Sequence, residues 1–190
     1  MSWIPEFELG IWNAWIFMIW QIVIPILLVL IVKEKTILKK LSASVSMKFE
    51  KTSNILSMVI LIVAFIYSII LPLQLNTLWF YLGVLIFLFG LIIDTTALFT
   101  FREAKPDGPF TTGPYRYSRH PVYVGFFLMY VSISLMSISW IFLVFTIIFG
   151  VHLLLVAPAE ERFCLKTYDK EYQEYMERTP RWIGLPKSKK

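Results

Sequence analysis

The sequence predicts an all-α integral membrane protein with five transmembrane helices, a cytoplasmic loop and a C-terminal amphipathic helix. Three observations predict it. First, 57% of the 190 residues are apolar and 16% charged, with mean hydropathy +0.68; an ordinary soluble domain runs at roughly 45–50% and about 25%. Second, the charges are segregated. Residues 9–32, 52–93 and 120–159 contain no Asp, Glu, Lys or Arg, which makes 106 of the 190 positions charge-free, whereas the helices of a soluble fold must show water a polar face. Third, all 18 basic residues fall on one side of a five-span arrangement.

The spans lie near 11–32, 55–71, 77–94, 121–137 and 140–158, in a single membrane domain covering 1–190. About 20 helical residues cross a ~30 Å hydrocarbon core, so the first block holds one span and each longer block two. The blocks are too long and too uniformly apolar for barrel strands. Residues before the first span carry Glu6 and Glu8 but no basic cluster, and the apolar run exceeds a signal-peptide core of ~7–15 residues, so the first span is retained. Pro25 inside it is a kink that lipid tolerates. Pro72, Gln74 and Asn76 mark the turn in the second block; Ser137 and Ser139 before Trp140 mark the turn in the third. Gly83 and Gly90 lie on nearly one face of the third span, as close helix packing requires. The positive-inside rule places the basic side, with the C-terminus, in the cytoplasm and the N-terminus outside. The net charge of +5 is thus a membrane-surface signature, with no nucleic-acid reading. One cysteine, Cys164, excludes an internal disulfide. With only His120 and His152 as histidines, no clustered metal site is expected.

Two cytoplasmic stretches are more than bundle. In Phe101–Gly125, Pro106, Gly108, Pro109, Gly113 and Pro114 forbid a continuous helix, while Phe110, Tyr115 and Tyr117 are unlike a disordered linker. Ser118, Arg119 and His120 then precede Pro121, a favoured first helical residue. That helix start offers free N–H groups and a positive dipole end to an anion, with Arg119 and His120 beside it. In Ala157–Trp182, Glu160 and Glu161 end the last apolar block. Leu165, Tyr168, Tyr172 and Tyr175 follow at helical spacing, predicting an amphipathic helix on the membrane surface or over the loop, ended at Thr179-Pro180. His152 reads as an interhelical hydrogen bond. Asp94, at the end of the third span, reads as snorkelling or paired with a basic loop residue.

The run Gly113-Pro-Tyr-Arg-Tyr-Ser-Arg-His-Pro-Val-Tyr-Val-Gly125, then about 35 residues of apolar hairpin and Glu160-Glu161, resembles the isoprenylcysteine carboxyl methyltransferase family, whose wider group includes membrane phospholipid methyltransferases. The resemblance implies S-adenosylmethionine as methyl donor, in a pocket formed by the loop and the C-terminal helical segment. Its contacts fall at Gly108, Pro109, Phe110, Tyr115, His120, Pro121, Val122, Tyr123 and Glu160. The family arginine that engages a substrate carboxylate has Val156 near its place here. Arg119 and Glu161 are therefore the catalytic candidates, the arginine to hold a carboxylate and the glutamate pair to supply a base with a raised pKa.

The residues agree with such a donor. The chain has eight glycines, none in a GxG spacing, so a doubly wound nucleotide site is excluded and a donor site must come from loop and helix ends. Aromatic rings suit an adenine, the helix start a carboxylate, and Glu160 an ammonium or ribose hydroxyls. The membrane setting implies a lipophilic acceptor entering from the bilayer. A carboxylate acceptor is already ionised and needs only a cation and a dry site; a protonated amine needs a base. The leading expectation is O-methylation of the C-terminal carboxylate of a prenylated cysteine, followed by N-methylation of a phospholipid headgroup. A non-catalytic membrane scaffold is the reading from another class, and it predicts no binding of the methyl donor.

Overall fold

The computed structural model describes residues 9–23, 26, 48–102 and 108–187. The chain forms α1 (Trp15–Met18), α2 (Lys48–Ile69), α3 (Leu78–Arg102), a 3-10 turn (Gly113–Arg116), α4 (Pro121–Ser137) and α5 (Trp140–Arg178). Among the described residues there is no strand, only an isolated bridge between Asn13 and Pro72. Leu78–Thr100 and α5 are long and apolar enough to cross a membrane, while Ile55–Ile69 and Pro121–Ser137 are apolar but shorter. Residues 24, 25 and 27–32 of the predicted first span, Pro25 among them, lie outside the described residues.

The predicted turns are where the chain reverses. Asn76 takes a positive φ of 63° between α2 and α3, a conformation asparagine tolerates well. Ile138 ends α4 in the left-handed region, and Ser139 caps α5 by accepting from the Phe142 amide at 3.2 Å. The N-terminal segment is pinned to the first of these turns: the Asn13 side chain donates to the Ile69 carbonyl at 2.7 Å, and the Ala14 amide to the Leu71 carbonyl at 2.9 Å. The turn is tied in its own right to the end of α4, where the Gln74 amide meets the Met136 carbonyl at 2.8 Å.

α3 and α4 form the most extensive helix pair, and glycine allows it. A Cβ on Gly90 would stand 2.8 Å from the Gly125 carbonyl oxygen, and one on Gly125 would stand 2.9 Å from that of Gly90. Gly83 is likewise covered by Met136 and by the Ser132 carbonyl. The two backbones touch, as small residues permit between helices that lack a hydrophobic driving force in lipid. Tyr130, Ile133, Met136 and Phe142 fill the space between α1, α2, α4 and α5. Polar contacts reinforce it: Ser134 meets Thr146 at 3.0 Å, and His152 makes the expected interhelical hydrogen bond, to Ser57 at 2.5 Å.

Two expectations are corrected. α3 does not stop at 94 but runs to Arg102. Asp94 is therefore inside a helix, 2% exposed, and accepts from the Trp20 indole at 3.4 Å; a pairing with Lys105 of the following loop falls outside the described residues. The last span does not stop at 158: the helix continues beyond it to a break at Asp169 (φ 44°, ψ −118°), after which a second helical piece runs to Arg178. Pro158 removes the hydrogen bond to the Leu154 carbonyl without ending the helix.

Since the α3–α4 contact is backbone on backbone, Gly90→Ala should destabilise the protein by about 1–3 kcal/mol. Gly125→Ala added to it should cost less than it does alone, because the helices are already apart. Chemical unfolding in mixed micelles, followed by tryptophan fluorescence, checks both; an unchanged midpoint for Gly90→Ala is the contrary result.

Candidate functional site

The site is built where the start of α4, the middle of α5 and the chain after α5 converge. Tyr115 is buried in the 3-10 turn, whose first residue, Gly113, has φ +56°. The turn packs against the exposed-looking half of α5: Tyr115, Tyr172 and Tyr175 are buried with Ala97 and Leu98, and Phe110, Val122, Leu165 and Tyr168 pack around them. The aromatic spacing on α5 thus covers the loop. The Tyr175 hydroxyl donates to the Tyr115 carbonyl at 2.7 Å, which fixes the turn to the helix.

Beyond Thr179 the chain folds back across residues 117–120. The Arg119 amide donates to the Pro180 carbonyl at 3.0 Å, the Gly184 amide to the Tyr117 carbonyl at 3.0 Å, and the Ser118 hydroxyl to the Arg181 carbonyl at 3.3 Å. Ser118 also accepts from the His120 amide at 3.1 Å. His120 occupies the N-cap of α4 but its side chain does not cap the helix. The ring turns instead toward α5, stacked on Tyr123 with centroids 5.2 Å apart and flanked by Trp182 at 5.9 Å.

At the centre is Glu161, 2% exposed. Arg181 donates to it with two nitrogens, Nε to Oε1 at 2.9 Å and Nη2 to Oε2 at 2.7 Å, the planar two-point geometry peculiar to arginine. Arg119 Nε lies 3.2 Å from Oε1 as an ion pair without hydrogen-bond alignment. His120 Nε2 is 3.3 Å from the same oxygen. Glu160 points the other way: it accepts from the Tyr123 hydroxyl, faces His120 Nδ1 at 3.5 Å, and keeps 34% of its side chain exposed.

The electrostatics follow from this placement. Burial disfavours an ionised Glu161, but the hydrogen bonds from His120 and Arg181 and the charges of Arg119 and Arg181 outweigh it and hold the carboxyl at about 2. The expected raised pKa is therefore corrected for Glu161; it is an anchor for cations. Burial also opposes a charge on His120, yet carboxylates at both ring nitrogens raise its pKa above the usual histidine value. The hydrogen bond to Glu161 raises Arg181. Burial raises the Tyr115 phenol, leaving it a neutral, stackable ring.

The structure brings Arg119, His120, Tyr123, Glu160 and Glu161 together, and Pro121 is buried at the helix start beside them. Phe110 and Tyr115 form a neighbouring group, ring centroids 5.9 Å apart, with Val122 packed against it. Gly108 lies against the end of α5, where an added Cβ would be 3.2 Å from Glu171 Oε1; Pro109 follows it, half-buried. Arg181, Trp182 and Glu171 were not anticipated. The one sequence signal for the first two was an Arg-Trp pair straight after the Thr179-Pro180 helix stop. No group of His, Cys, Asp and Glu suited to a metal occurs among the described residues.

Among the described residues the chain is helical, with two helices long and apolar enough to cross a membrane and a charged, aromatic cluster where the start of α4, the middle of α5 and the tail meet. The sequence profile of the phospholipid methyltransferase family matches residues 78–171, from the start of α3 to the aromatic half of α5. This chain carries a phospholipid methyltransferase family domain, and that family is one of membrane methyltransferases. Arg181 and Trp182 lie beyond the matched residues. No curated protein matches the chain.

The histidine supplies a pH test. A pKa raised in the folded state contributes stability that is full below the unfolded value of about 6.5 and is lost as pH rises through the folded one. Wild type should lose thermal stability in detergent over that rise, and His120→Gln should be flat across the same window. Parallel curves for the two proteins would mean that His120 carries no linked proton.

Proposed function

We propose that the chain is an S-adenosylmethionine-dependent, multi-pass membrane methyltransferase acting on the amine of a phospholipid headgroup. The observation that carries this reading is the division of labour in the glutamate pair. Glu161 is committed to Arg119, Arg181 and His120, whereas Glu160 is one-third exposed and held by a tyrosine hydroxyl and the histidine ring. An amine acceptor needs a carboxylate free to take a proton, and Glu160 is placed for it. A carboxylate acceptor needs a free cation, and Arg119 already faces Glu161 with only 10% of its side chain exposed. The family description agrees with a phospholipid.

The donor set fits the cofactor. Phe110, Tyr115 and Tyr123 offer aromatic rings, His120 with Pro121 and Val122 offers the helix start, and Gly108, next to Pro109, lies against the Glu171 carboxylate. When bound, S-adenosylmethionine supplies a sulfonium-activated methyl for in-line transfer. Positioning of this kind is worth up to ~7–11 kcal/mol of a barrier. The residues hold the acceptor nitrogen, exclude water and accept its proton at Glu160; Glu161, through Arg119 and Arg181, keeps the loop closed over the helix start. Apolar side chains exposed along α3 and α5, such as Leu85, Ile92, Leu154 and Leu155, support a lipid surround and an acceptor arriving from the bilayer. The one-sided basic residues support five spans with the N-terminus outside and the C-terminus in the cytoplasm. The second reading, a prenylated cysteine carboxylate held by Arg119, rests on the Gly113–Gly125 run.

Purified protein given methyl-labelled donor should place base-stable label on phosphatidylethanolamine. Glu160→Gln should lower kcat about a hundredfold or more, while Glu161→Gln should lower stability by about 1–3 kcal/mol as two cations lose their partner. Base-labile label on a prenylcysteine mimic, lost in Arg119→Ala, would instead establish the carboxylate acceptor. A ten- to hundredfold loss of donor affinity in Glu160→Gln, of order 1.4–2.7 kcal/mol, would return Glu160 to cofactor binding.

A further inference from the structure

A cavity of about 350 Å³ opens between the 3-10 turn, the end of α5 and the chain that follows it. Its polar lining is Arg116, Arg178, Lys187, Thr111 and Thr179, with Tyr175 as one wall. Three cations and two hydroxyls face it, and no carboxylate is among its lining residues. Arg178 spends its Nε on the Glu174 carbonyl at 3.1 Å, which directs the rest of the guanidinium away from that carbonyl. The Lys187 amide donates to the Arg178 carbonyl at 2.9 Å, so the tail is fastened to the helix end. Tyr175, whose hydroxyl is occupied by the Tyr115 carbonyl, stands between this cavity and the turn. The cavity is therefore assembled from three segments by specific hydrogen bonds, and it shares none of its charged groups with the Glu161 cluster. Its size falls within the ~300–1,000 Å³ of small-ligand sites.

We propose that this cavity binds a phosphate group, as a phosphomonoester or phosphodiester headgroup. Arginine and lysine with flanking hydroxyls are the donors a tetrahedral oxyanion takes, and basic pockets at the cytoplasmic surface of membrane proteins meet anionic lipid headgroups. The inference stands apart from the methyl-transfer reading, because the site is defined by charge and shape and is read by binding without turnover.

The test uses the full chain in zwitterionic micelles, with dioctanoyl phosphatidic acid, dioctanoylglycerol and inorganic phosphate as probes. Phosphatidic acid should bind saturably and dioctanoylglycerol should not. Arg178→Ala and Lys187→Ala should each weaken binding about tenfold or more, the scale of one charge-assisted contact. Lys166→Ala, an exposed cation on α5 outside the cavity, should leave it unchanged. Lys187 lies in the tail, so its variant keeps the test valid should Arg178→Ala fail to fold. Competition by inorganic phosphate with the same sensitivity identifies a free-phosphate site; lipid binding that phosphate does not displace identifies a headgroup site. Equal affinity in wild type and both cavity variants overturns the proposal.

Discussion

The buried carboxylate of Glu161 is the constraint on which the described site depends. It sits in the middle of α5 with a guanidinium from the preceding loop on one side and another from the following tail on the other. A carboxylate this deep is tolerated only when paired and hydrogen-bonded. Here the pairing joins three segments far apart in sequence: residues 117–120, α5 and the chain after Thr179. The Arg119 amide on the Pro180 carbonyl and the Gly184 amide on the Tyr117 carbonyl close the same junction with backbone. Removing the carboxylate would leave two cations facing each other across it.

The α3–α4 backbone contact sets where that junction lies. Gly90 against Gly125 holds the two helices too close for side chains between them, so the start of α4, with His120 and Pro121, is fixed relative to α3. Asp94 is on the same face, one turn beyond Gly90 and against Gly125. The tyrosine cluster then seats the second half of α5 on the 3-10 turn. Helix packing thus places Glu160 and Glu161 opposite Tyr123 and His120, and the ion pairs secure what packing has aligned.

Adjacent glutamates end up in different environments because consecutive residues on a helix point about 100° apart. Glu161 turns into the loop and tail, Glu160 toward Tyr123 and the open side. One becomes a fixed counter-ion and the other a reachable carboxylate. The tail supplies one of the two arginines that hold Glu161, while Glu160 keeps about a third of its side chain exposed.

The sequence by itself determined what depends on local pattern: the apolar blocks, the turns at Asn76 and Ser137–Ser139, the helix start at Pro121, the aromatic face of the last helix and the glycine contact. Each follows from periodicity, turn chemistry or residue size acting within a few positions. The loop-and-glutamate region was also legible, as a motif. Only the tertiary structure decided which charges meet. Arg181 was invisible because nothing local distinguishes a tail arginine that pairs with Glu161 from one facing water. Asp94 lies inside α3 because the helix continues past it, and the Glu161 pKa is lowered rather than raised because it is set by partners across space rather than by neighbours in the chain.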